Sequence, residues 1–233
     1  MCFSPLMSWA TAGLGISVAV FAKSKNKPAN LYVAPAYFGF MEILQGLMYW
    51  QVHHPSTIIV NILVYIAYIH VCFQPLVFNF WLGTFISERQ KAVYHFTLKL
   101  CAVGAVFLLI RMLVAGDSPL CSSYETLCAP TPNIFNGLYH IAWSLPLVGA
   151  GWNYIYPSIA LHMFLFFIPG MLLGFYRLMI VFFFLGPFLA AQITPNPSEA
   201  SSIWCVMGLW LMAITVLAAI RRPPRFFFPK NSG

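Results

Sequence analysis

Charge is what this chain lacks most. Of its 233 residues only 7% are charged, and just five are acidic, against roughly 25% charged residues in an ordinary soluble domain. Twelve basic and five acidic side chains cannot cover a soluble fold of this size, and the mean hydropathy of +0.80 agrees. A soluble enzyme, a secreted disulfide scaffold and a nucleic-acid module are excluded together. Chemical signatures are missing too. The sequence has no CxxC, HxxxH or HExxH spacing, no GxSxG and no evident Ser-His-Asp set, so it offers neither a strong metal motif nor a nucleophile elbow.

What is there instead is a series of apolar runs. A membrane-crossing helix needs about 20 largely apolar residues, and seven segments qualify: 6–22, 31–50, 56–87, 93–115, 153–173, 175–193 and 201–220. They predict one all-α domain over 1–220, a seven-transmembrane helix bundle, with 116–152 as a long loop and 221–233 as a basic tail. The third segment exceeds the minimum, so tilt is expected, and Pro75 inside it predicts a kink. No charge precedes Lys23, which reads as a retained first helix rather than a cleaved signal. Segments one to three and five to seven share in/out parity, but their side chains do not correspond, so no internal repeat is read.

Lysine and arginine fix the expected orientation. Lys23, Lys25 and Lys27 lie between segments one and two, and Arg89 and Lys91 between three and four. Arg177 lies near the five–six junction, and Arg221, Arg222, Arg225 and Lys230 follow segment seven. The alternate connections carry no lysine or arginine. The positive-inside rule then places the N-terminus outside and the C-terminus in the cytoplasm, with the plasma (inner) membrane as the expected home. Lys99 and Arg111, inside segment four near its ends, are expected to snorkel. The net charge of +7 is therefore a topology signal plus a tail suited to anionic lipids; no nucleic-acid partner is expected. Tyr49, Trp50, Trp81, Trp204 and Phe226–Phe228 read as interfacial anchors.

Polar residues at membrane depth are costly and must find partners. Glu42 lies about 16 Å along its helix from Leu31, at 1.5 Å per residue, with Gln45 and Tyr49 on the same face. In the third segment Asn61, Tyr65, Tyr68, Cys72 and Asn79 form one stripe, and His70 and Gln74 lie nearly opposite, so this helix should be central. His162 falls at a depth similar to Glu42. The expected site is a midplane cluster of Glu42, Gln45, His70, Gln74 and His162, the material of a proton relay or cation site; the same groups can instead bond to one another and hold helices in register. Retinal is not expected, because the seventh segment contains no lysine.

The six cysteines divide by depth. Cys121 and Cys128 in the outer loop either close a small disulfide or remain free thiols, and Cys72 and Cys101 read as small core residues. Cys2 and Cys205 near the outer boundary admit a disulfide, metal ligation or packing. With His53, His54 and His140 they form the candidate set for copper or zinc.

Four stretches occur in a recognisable order and spacing: Met1-Cys2-Phe3-Ser4; Ala34-Pro35 through Glu42, Gln45 and Gly46; His140-Ile141-Ala142-Trp143; and Ser202-Ile203-Trp204-Cys205. In these the chain resembles an uncharacterised family of small multi-pass membrane proteins of bacteria and large DNA viruses. Members often carry glutamine directly before the second-helix glutamate; here Met41 precedes Glu42. The resemblance implies the multi-pass topology, brings no activity with it, and singles out Cys2 and Cys205. The expected function is a transporter or channel for a proton, cation or small solute, with Glu42 titrating and His70 or His162 as partner. The alternatives are a membrane metalloprotein or enzyme with an outer Cys/His site, and an accessory structural subunit.

Overall fold

Ser4 opens the first helix by accepting the Met7 amide, with proline next in line, a normal helix start. The computed structural model describes residues 4–115, 121, 126–148 and 159–221. Within them lie seven helices: α1 (Pro5–Ser24), α2 (Ala29–His53), α3 (Thr57–Leu82), α4 (Lys91–Leu113), α5 (Ile159–Leu172), α6 (Tyr176–Ile193) and α7 (Pro197–Arg221). Five of them, α1, α3, α4, α6 and α7, are long and apolar enough to cross a membrane. The 25-residue α2 is long enough but too polar to join them, and the described part of α5 is too short.

The helices close into a ring. α1 packs on α2 and α7, α2 on α3, α3 on α4 and α5, α5 on α6, and α6 on α7, while α2 also touches α7 across the interior. Outward faces are apolar, for example Ile58, Ile62 and Ile66 on α3, Phe96, Val103 and Phe107 on α4, and Ile180, Phe184 and Phe188 on α6. An apolar exterior over a partly polar interior is the build of an integral membrane protein.

The α1–α2 crossing is set by glycine. A Cβ on Gly15 would lie 2.7 Å from the Pro35 carbonyl oxygen and 3.1 Å from the Gly39 Cα, so the two backbones touch. Trp9 closes over Gly46 in the same way, 2.7 Å from where its Cβ would be.

Several expectations need correcting. The 116–152 stretch is not all loop: β1 (Asn133–Asn136) and β2 (Ile141–Ser144) pair antiparallel, and all four β2 residues are buried. The hairpin packs against α2, α3 and α7 and so fills one end of the ring, called here the hairpin end. The third helix stops at Leu82, not at 87, because Gly83 packs under the Tyr94 hydroxyl and the chain turns there. It runs as one helix through Pro75. A break in helical geometry lies in α6, where Gly186 has φ −109° and ψ −105° before Pro187 within a π-bulge at Phe184–Phe188. The last helix starts four residues early, at Pro197, because Asn196 Oδ1 accepts the Ser198 and Glu199 amides.

Among the expected anchors only Trp50 is exposed; Tyr49, Trp81 and Trp204 are buried, and Phe226–Phe228 lie with the basic tail outside the described residues. Lys99 is exposed, but Arg111 does not snorkel. It is buried, and its Nε donates to the Val148 carbonyl at 3.0 Å.

Candidate functional site

The five midplane candidates do not form one cluster. Their polar contacts fall into three sets.

The first lies between α1, α2, α3 and α7. Glu42 is 0% exposed, and neither carboxyl oxygen has a hydrogen-bond partner among the described residues. The Ser8 hydroxyl is its polar neighbour from α1, also without a bond of normal geometry. From α7 the Cys205 thiol lies close enough to feel the carboxyl's charge. Cys205 in turn accepts from Gln74 Nε2 at 3.6 Å, and Gln74 reaches His70 Nδ1 at 3.4 Å. The series ends at Tyr37, which stacks on the His70 ring with centroids 3.9 Å apart; its carbonyl meets His70 Nε2 at 2.8 Å and its hydroxyl donates to the His70 carbonyl at 2.6 Å.

Gln45 belongs to a second environment under the hairpin. Its Oε1 meets His140 Nε2 at 2.8 Å, and the other ring nitrogen meets the Tyr49 hydroxyl at 2.6 Å. That hydroxyl also accepts the Ile141 amide at 3.1 Å. Burial outweighs the nearby Glu199 charge and pushes the His140 imidazole down to about 4. Glu199, on the first turn of α7, lies just before the expected start of the last helix at 201 and was not among the expected site residues. It is 0% exposed and accepts the Tyr139 and His140 amides and the Thr194 hydroxyl. Gly137 makes room for it, since a Cβ there would sit 2.3 Å from the carboxyl carbon. The signal available in the sequence was Asn196-Pro197 ahead of an acid, a helix start rather than a loop.

The third environment holds His162. Its ring lies beside the Val71 carbonyl, the group that Pro75 leaves without its helical donor. It shares a cavity of about 20 Å³ with Cys72 and Arg111, and its ring meets Phe166 and Trp204, which line the cavity beside Gln74 and Cys205.

The copper or zinc set is not brought together. His53 and His54 are exposed at the end of α2, His140 is engaged under the hairpin, and Cys205 is buried beside Gln74. Cys2 lies outside the described residues. No group of three or more histidine, cysteine or acidic residues suited to a metal occurs among the described residues. Cys121 and Cys128 are joined by a disulfide. It tethers the turn carrying Leu127, whose carbonyl accepts the Leu145 amide and whose amide donates to Ser198 Oγ at 3.2 Å.

Three further cavities border these groups. One of about 10 Å³ is lined by Gln74, Cys205, Phe38, Phe166 and Trp204 among others. A cleft of about 310 Å³ at the hairpin end runs between Thr126, Met163, Pro187, Thr194, Pro197 and Trp204. A groove of about 340 Å³ crosses Trp9, Gly46 and Trp50. Neither Glu42 nor His70 lines any of the four.

These features define a helical, membrane-compatible protein with a buried polar interior and no recognisable catalytic set among the described residues. The model of a family of unknown function, DUF5765, matches residues 6–225, and the chain belongs to that family. The match takes in the Glu42, His140 and Cys205 stretches and begins after Met1–Ser4. No curated protein and no solved structure matches.

Proposed function

We propose that this is a seven-crossing plasma-membrane protein, hairpin end outside and arginine-rich end cytoplasmic, that takes up and passes a proton or small cation at Glu42. Five long apolar helices support the crossings, and the basic residues between alternate helices support the orientation. So does the Cys121–Cys128 disulfide at the hairpin end, since disulfides persist on the oxidising side of a membrane.

One observation carries the choice of Glu42. It is a fully buried carboxyl in mid-helix whose two oxygens are both without hydrogen bonds among the described residues. Native proteins rarely leave buried polar atoms unpaired except where an ion, water or proton is handled. The small buried cavities favour a second reading, an accessory subunit whose polar groups only hold helices together. Reconstitution into proteoliposomes with a trapped pH dye separates the two. Wild-type protein should show flux that Glu42→Gln abolishes; equal flux in both, or none in either, overturns the proposal.

A further inference from the structure

The 310 Å³ cleft at the hairpin end and the 10 Å³ cavity beside Gln74 and Cys205 have one lining residue in common, Trp204. Its indole is 8% exposed and stands between them. Cys205, which lines the small cavity, lies close enough to Glu42 to feel the carboxyl's charge.

Trp204 is held by contacts of two kinds. Phe166 and His162 meet it edge-on, with centroids 5.2 and 5.5 Å away, and Phe167 stacks at 6.2 Å. On its other side is the α6 break. A Cβ on Gly186 would lie 2.9 Å from the indole Cδ1 and Nε1, so the irregular turn of α6 fits against the ring only because Gly186 has no side chain. A π-bulge and a proline leave this turn short of regular helical hydrogen bonds, so it can shift without breaking an intact helical ladder.

We propose that Trp204 is a gate between a water-filled vestibule at the hairpin end and the Glu42 cluster, with the Gly186–Pro187 break as the element that lets it swing. This rests on Glu42 being the working group. The size of the inner cavity sets the substrate class. A space of about 10 Å³ is at the lower limit for one water, and its mostly apolar lining, with the Gln74 amide and the Cys205 thiol as polar groups, is too poor in oxygen donors to hold a metal cation. The route therefore suits a proton and excludes a larger solute.

Cys205 reports on the gate. The background is Cys2→Ser, Cys72→Ala and Cys101→Ala, with the disulfide intact, in nanodiscs exposed to a small charged methanethiosulfonate. An added Ala191→Cys in the cleft should react readily, whereas Cys205 should react slowly with Trp204 in place. Trp204→Ala should raise the Cys205 rate on the order of tenfold or more, and Trp204→Phe by less. Met212→Ala, which enlarges the same inner cavity away from the cleft, should not raise it. An unchanged rate in both Trp204 variants overturns the gate, and so does an equal rise in Met212→Ala, which marks general loosening. Labelling reads access without requiring flux, so it can fail while Glu42→Gln still abolishes flux, or succeed where flux is absent.

Discussion

At the scale of single residues, Glu199 is the group on which the hairpin end depends. Its carboxylate collects two backbone amides and a hydroxyl in a buried setting. Glu199→Ala leaves all three donors unpaired and should cost about 3 kcal/mol, read as a lower unfolding midpoint in detergent. Faster hydrogen exchange should be confined first to the 137–145 amides. His140 makes a pH prediction. Its folded value of about 4 lies below the usual 6.5, so the unfolded chain binds the proton first as pH falls. Stability is full above pH 6.5 and is lost progressively between 6.5 and about 4, by about 3 kcal/mol for the whole shift. Thermal melts of wild type and His140→Gln across that window should diverge; parallel curves would remove the assignment. Neither residue was fully legible beforehand. Glu42 declares itself as an acid inside an apolar run, but Glu199 sits in a short polar stretch, and only contact with a hairpin distant in sequence buries it.

At the scale of elements, close helix contact makes the sharpest prediction. A methyl on Gly15 would press on the Pro35 carbonyl oxygen at 2.7 Å, whereas nothing lies within 4 Å of a Cβ on Gly13. Gly15→Ala should therefore cost about 1–3 kcal/mol of bundle stability, and Gly13→Ala should be neutral or slightly stabilising, both measured by thermal unfolding. Gly39 and Gly46 on α2 both lie against α1, through the Ala12–Ile16 backbone and the Trp9 ring. α3 continues as one helix through Pro75, where Asn79 Nδ2 donates to the Pro75 carbonyl at 2.8 Å. At Pro187 the helix breaks, because the preceding glycine removes the steric reason to remain helical.

At the scale of the whole molecule, the seven-helix order follows the apolar runs closely, and the hairpin does not. A reporter at each terminus should be found on opposite faces of the membrane, and the Cys121–Cys128 pair should react with a bulky maleimide only after reduction. Both termini accessible from one face would undo the crossing count. Composition and the long apolar runs marked the chain as membrane-compatible, because an apolar segment of about 20 residues acts on the bilayer locally, whatever the rest of the chain does. How the polar interior is partitioned was decided only by tertiary structure. Gln45 pairs with His140 across 95 positions of sequence and Gln74 with Cys205 across 131, while His162 lies beside the Val71 carbonyl and the Trp204 ring. Helical periodicity gives the face on which a side chain lies, but the rotation of each helix about its own axis is fixed by the packing of all its neighbours at once, and that rotation determines which polar group meets which.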